Sequence, residues 1–418
     1  MTDPTKDDHG PSREEITEVL GLVAREAADY FDGLDERPVR SGSLHEFAGR
    51  VGEPLPEAGQ GAAAALLALV EHARDAAVNS AGPRFFHFVM GGTTPAALGA
   101  DWMTAVLDQV AYAWVSSPLA VQLELECISW LRELFGLKAE GTGVMTTGAT
   151  MANFVGLAAA RQWWGERHGI DVSEKGFESL PSVPVLTSGY IHASAVKALA
   201  MLGIGRANIR KLSTDQVGRL DVVAMERALR ELDGAPAIIV GNAGEVNAGD
   251  FDPIEQLVDL STKYGAWLHI DGAFGLFARL SPRTENLVAG IERAHSITVD
   301  GHKWLNVPYD CGFSFIRDTA LVTRTFAYSA DYLPDPDDPR PNMGVLGPES
   351  SRRARSLAVW ATLRAYGRRG YRDMIERHLS LARRLAERVD EGHDLERLAE
   401  VPLNIVCFRY NPGNLSEE

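Results

Sequence analysis

Only three cysteines, Cys127, Cys311 and Cys407, occur in 418 residues, far apart and without a CxxC pair. That scarcity excludes a disulfide framework and a thiolate metal centre, and it predicts a protein of the reducing cytoplasm that binds no metal. No stretch reaches the roughly 18 uninterrupted apolar residues a membrane-crossing helix requires. The first residues, MTDPTKDDHGPSREE, are acidic and polar where a secretory leader is basic and then apolar. Positive charge is also short, with 41 Lys and Arg against 57 Asp and Glu and a formal net charge of -16. The one dense basic run is Arg352, Arg353 and Arg355. Nucleic acid and anionic membrane surfaces would repel such a chain, so neither is an expected partner.

What is present is a long chain of 45% hydrophobic composition, enough for one large α/β domain with smaller units attached. Residues 1–11 carry no pattern and are expected to be disordered. Ser12 and Glu15 have the spacing of a capping box, followed at helical intervals by Ile16, Val19, Leu20, Val23, Ala27, Tyr30 and Phe31. A second helix is predicted from about residue 57 to 79. We expect an N-terminal helical segment over 1–82, docked on another domain or another subunit, a large domain over 83–349 and a smaller C-terminal domain over 350–418. Phe85, Phe86 and Phe88 ahead of Gly91-Gly92 predict a buried aromatic segment entering a turn. From 142 to 318, short apolar runs (144–147, 183–187, 237–241, 267–271, 296–299, 312–317) alternate with helical patterns (151–161, 193–202, 222–232, 254–264). Such alternation predicts a mainly parallel sheet covered on both faces, with ligands at the carboxyl ends of its strands. Residues 330–349, rich in Pro, Asp and Gly, read as a mobile loop, and helical patterning returns over 351–389.

Three polar residues fall where predicted strands end: His192, Asp271 closing WLHID, and Lys303 just past SITVDGH. Singly, each has an ordinary explanation as a surface cation, a cap or a turn residue. Together they suit pyridoxal 5'-phosphate (PLP). A lysine can hold its aldehyde, a carboxylate can keep a proton on its ring nitrogen, and an imidazole can lie on its ring. The strand GVMTT running into Gly148, Ala149 and Thr150 and then a helix offers N–H groups for a phosphate.

These blocks resemble a known family. PRFFHF, VSSPLAVQLELECISWL, GVMTTGATMANFVGLAAAR, NAGEVNAGDFDP, WLHIDGAFG, DGHKWLNVPYDCG and SRRARSLAVWATLRAYG are similar, in order, to the group II PLP-dependent amino-acid decarboxylases. The resemblance implies an α/β fold of the PLP-dependent transferase type (aspartate aminotransferase-like, fold type I) and a cytoplasmic homodimer acting on an L-amino acid. It makes Lys303 the Schiff-base lysine, Asp271 the partner of the pyridinium and His192 the stacking residue, with Ala273 on the opposite ring face. Gly148, Ala149 and Thr150 then fall at the phosphate, His302 beside the lysine, and Tyr332 in the loop as the acid that protonates the substrate carbon. Phe86, Phe88, Tyr112, Trp114 and Ser351 fall in segments that line the substrate pocket in relatives, a lean toward aromatic substrates. The chain also departs from the family. Asp300-Gly301 stands where Asn-Pro is common, and an aspartate near a phosphate is unfavourable unless it points away. Glu245 and Asn247 replace two threonines common in animal and plant members, and the C-terminal domain is expected to be shortened. Another PLP reaction (transamination, retro-aldol cleavage, aldehyde synthesis) and a non-catalytic PLP-binding protein both stay open from sequence alone.

Overall fold

The computed structural model describes residues 12–40, 54–138, 140–177, 180–215, 218–328 and 338–412. It divides into two compact units, Met1–Met90 and Gly91–Glu418.

The first unit contains α1 (Arg13–Asp32) and α2 (Ala62–Ala76), packed together. The predicted cap forms: Ser12 Oγ accepts from Glu15 N at 3.0 Å, satisfying one of the free donors at the helix start. Beyond the helices, Phe86 and Phe88 are each 85% exposed, so the expected buried aromatic segment is not found. The chain there forms no helix or strand, and positive φ at Phe88 and Val89 (63° and 49°) breaks the alternation that would turn successive rings inward.

The second unit is built on a seven-stranded sheet. In chain order its elements are α3 (Pro95–Leu107), α4 (Pro118–Leu134), β1 (Thr142–Thr146), α5 (Ala149–Arg167), β2 (Val185–Thr187), α6 (Ala193–Met201), β3 (Ile209–Lys211), α7 (Val222–Glu231), β4 (Ile238–Asn242), α8 (Ile254–Tyr264), β5 (Trp267–Asp271), β6 (Ser296–Asp300), β7 (Gly312–Ile316), α9 (Thr319–Phe326) and α10 (Ser356–Glu391), with a small β8 (Leu395–Arg397) and β9 (Phe408–Tyr410) hairpin. The sheet order is β1-β7-β6-β5-β4-β2-β3, parallel throughout except for β7, which runs against both of its neighbours. All six predicted strands form. Strands β4 to β7 are buried almost end to end, as parallel strands under helices must be. Helix α10 begins later than the pattern suggested and is interrupted at Gly367 (φ 57°, ψ -176°).

Register fixes the site. Val144, Ser314, Thr298, Asp271 and Asn242 form one row across five strands, and Thr146, Gly312 and Asp300 form the row two residues further along, at the carboxyl ends of β1 and β6. Residues two apart on a strand share a face. His269 and Asp271 therefore lie on one face with Ser296, Thr298 and Asp300, under α5.

Candidate active site

Asp271 closes β5, is 7% exposed, and is held from two sides. Its Oδ1 accepts from Ala273 N at 3.2 Å and its Oδ2 from Asn153 Nδ2 at 2.9 Å. Asn153, on the buried face of α5, also donates to Ser194 Oγ at 3.1 Å, and its Oδ1 meets His269 Nε2 at 2.8 Å. A carbonyl oxygen only accepts, so Nε2 carries the hydrogen and Nδ1 accepts from Ser296 Oγ at 2.8 Å. Burial pushes His269 down to about 4, which keeps it neutral. The carboxylate thus sits on a closed network of neutral donors that holds one geometry.

The same network reaches His192. This residue caps α6 and is exposed. Its Nδ1 accepts from Ser194 N at 3.2 Å and lies 2.6 Å from Ser194 Oγ. A backbone N–H can only donate, so the hydrogen of a neutral ring is on Nε2. Ala273, buried, is tied to Asp271 through its N–H, and its carbonyl accepts from Asp300 N at 3.3 Å.

Lys303 is held differently. It follows β6 in a turn whose flank is gripped by the Gly91–Thr94 segment: Asn306 Oδ1 accepts from Gly92 N at 2.7 Å and Asn306 O from Thr94 N at 3.0 Å. The side chain is half-buried and its ammonium has no hydrogen bond or ion pair among the described residues. Beside it, His302 Nδ1 donates to Val307 O at 2.8 Å and the ring stacks on Tyr309 at 3.6 Å. His302 Nε2 is buried without a partner among the described residues, and burial pushes this imidazole down, toward its neutral form.

The third part is the start of α5. Gly148 has φ 134°, which side chains rarely adopt. A Cβ on Gly312 would lie 2.4 Å from the carbonyl carbon of Gly148, so two glycines let this turn settle onto the end of β7. No side chain caps α5, and its first internal hydrogen bond is Ala152 N to Gly148 O. The N–H groups of Ala149, Thr150 and Met151 therefore have no partner among the described residues at the positive helix end. Strand β1, which delivers this turn, is clamped by a buried ion pair. Arg352 donates to both Glu124 oxygens (3.0 and 2.6 Å) and to Met145 O at 2.9 Å, while Met145 N donates to Glu124 Oε1 at 2.9 Å. A free lysine, a fixed carboxylate and an uncapped helix start, gathered at neighbouring strand ends, fit the aldehyde, ring nitrogen and phosphate of PLP.

The fold brings Lys303, Asp271, His192, Ala273, His302 and Gly148–Thr150 together at the carboxyl end of the sheet. The substrate-pocket expectations fare differently. Tyr112 and Trp114 line a cavity of about 690 Å³ with Tyr328, Asp338, Arg340 and Asn342, and none of those cofactor-site residues is in its walls. Ser351 is exposed. Phe86 and Phe88 belong to the first unit, and Tyr332 lies outside the described residues.

Residues 55–411 match the model of the pyridoxal-dependent decarboxylase conserved domain. The chain belongs to this family. It is 32% identical over 340 residues to the aromatic-L-amino-acid decarboxylase of Bacillus atrophaeus, covering 80% of this chain and 68% of that protein. It is 33% identical over 368 residues to the L-2,4-diaminobutyrate decarboxylase of Rhizobium meliloti (strain 1021), covering 86% and 71%. Among solved structures, mouse CSAD superposes with a TM-score of 0.85 at 26% identity, covering 97% of this chain and 85% of that one. The matched region spans 64% to 71% of the lengths of the curated relatives. Family membership makes this chain a PLP-dependent carboxy-lyase of the PLP-dependent transferase (type I) fold. Sequence reading missed Asn153 and His269, although a lone asparagine in the apolar run of α5 and a histidine inside WLHID were both visible signals.

Proposed function

We propose that this carboxy-lyase removes the α-carboxylate of an L-amino acid, releasing carbon dioxide and the amine. The observation that carries the reading is the pairing of a free Lys303 with an Asp271 fixed by Asn153 and Ala273 at the ends of adjacent strands. Bound PLP supplies a ring that accepts the electrons left when carbon dioxide departs. Lys303 would hold the aldehyde carbon of the cofactor. Asp271, locked in place and acceptor-only, keeps a proton on the ring nitrogen. The free N–H groups of Ala149 and Thr150 hold the phosphate, and the His192 imidazole and Ala273 bound the two ring faces. Tyr332 would deliver a proton to the substrate carbon. Tyr332→Phe should leave cofactor attachment intact while amine formation falls steeply or, with dioxygen as the oxidant, gives way to aldehyde and peroxide. Amine released at the parent rate would remove the residue from this role.

We take the working form to be a cytoplasmic homodimer. The partly exposed apolar side chains of α3 (Trp102, Met103, Val106 and Leu107) support a partner surface, and three free cysteines suit a reducing compartment. Sedimentation showing an active monomer would overturn the dimer. The reaction is tested with a panel of aromatic, acidic and basic L-amino acids, scored for carbon dioxide and amine. Stoichiometric carbon dioxide and amine from at least one of them is the expected result. A keto acid, an aldehyde with peroxide, or no turnover would support a different reaction or a non-catalytic protein.

A further inference from the structure

Asp300 is a half-buried carboxyl that the reaction above does not use. It closes β6 beside Gly312 of β7, and Gly312 carries the Gly148 turn on its face. Its side chain shares a face with Thr298 and Ser296 and therefore points to the α5 side of the sheet. The turn that begins α5 thus rests on the β7 residue paired with Asp300, whose backbone is about one strand spacing, roughly 5 Å, away. Asp300 N donates to Ala273 O, Oδ1 accepts from His302 N at 3.0 Å, and Oδ2 has no partner among the described residues. The ionisable groups around it are Lys303 and His302 from its own turn, Asp271 from β5, and Tyr309 and Cys311 from the segment entering β7. The start of α5 adds no charged side chain. Lys303 is the one cation in that set and is also the residue that attaches the cofactor.

We propose that Asp300 holds the cofactor phosphate as a carboxylic acid, taking one proton from solvent onto Oδ2 and donating it to a phosphate oxygen. The proposal rests on the reading that PLP binds here with its phosphate at the start of α5. A phosphate carrying nearly two negative charges and a carboxylate one strand away cannot both stay ionised out of water. The free N–H groups of α5 favour the phosphate dianion. Burial already pushes Asp300 above the ordinary carboxylate range, and Lys303 and the His302 contacts offset this only in part. The carboxyl is therefore the group that takes the proton. Because binding then consumes a proton, affinity for the phosphorylated cofactor falls as pH rises above the free-protein value of Asp300.

The test is the dissociation constant of PLP, and of pyridoxal without its phosphate, for the wild-type chain and Asp300→Asn across neutral to alkaline pH. Effects of lysine and ring titration cancel in the ratio of wild type to variant. For PLP that ratio should climb with pH, by up to about tenfold per unit, and for pyridoxal it should stay flat. Should the variant not fold, calorimetry of the wild type in buffers of different ionisation heat gives the same answer, with about one more proton taken up per PLP than per pyridoxal. A flat ratio for PLP, an equal climb for pyridoxal, or equal proton uptake overturns the role of Asp300 while the cofactor site stands. Absence of any covalently held PLP removes the site, and this proposal with it.

Discussion

Asp271 and Lys303 stand at the ends of adjacent strands yet are held in opposite ways. The carboxylate is pinned by Asn153 and Ala273 and backed by His269 and Ser296. The ammonium is half-buried and unpaired among the described residues, while its turn is braced around it by Asn306, by His302 and by Tyr371, whose hydroxyl donates to Leu305 O. The contrast follows the chemistry each side performs. A group that only stabilises charge gains from being fixed before the reaction starts, whereas a nucleophile that is displaced in every turnover must be free to leave.

Breaking the free side should cost most. Lys303→Ala should abolish covalent cofactor retention and lower turnover by at least about a thousandfold, read by borohydride-resistant release of the cofactor and by amine formation. On the fixed side, Asp271→Asn preserves shape but not charge, and kcat should fall about 100- to 1,000-fold. Near-normal rates would show that the ring nitrogen is served by another group. Asn153→Leu sharpens the comparison, since it leaves the carboxylate charged but removes its side-chain donor and orphans His269 Nε2. A loss of about ten- to a hundredfold in kcat, matching about 1–3 kcal/mol for a broken buried network, is expected with the cofactor still attached. No loss would mean that this geometry is set elsewhere.

The least effect on activity belongs to Asp252, another buried carboxyl. Its Oδ2 accepts from Asn242 N, Asn242 Nδ2 and Ser188 Oγ, yet it has no ion pair among the described residues and burial pushes it up to about 6. Its folded value lies above the unfolded one, near 3.8. The stability it contributes is full below about 3.8 and lost as pH rises through about 6, a swing of up to about 3 kcal/mol. Asp252→Asn should remove that swing, so variant minus wild-type stability grows from pH 4 to 6 and then levels off in denaturant titrations. Parallel curves would mean that Asp252 ionises as it would in water.

Much of this site was legible because each half ends a short apolar run with one polar residue, as in WLHID and SITVDGHK. Asp271, Lys303 and the Gly148 turn could be placed from that texture alone. The network behind Asp271 could not, because Asn153 meets His269 and Asp271 across 116 and 118 residues and only the crossover of α5 over the sheet joins them. Edge strand β3 (IRK) was missed because its exposed cations mask a strand pattern, and α3 and α4 because each opens on a proline that also signals a break. Phe86 and Phe88 misled in the other direction: apolar composition predicted burial where an irregular backbone leaves both rings outside.

The most direct test is borohydride reduction of the PLP-loaded protein, followed by peptide mapping. The account predicts a single reduced cofactor adduct on the peptide containing Lys303, lost in Lys303→Ala. An adduct on any other lysine, or one that survives that substitution, would contradict it.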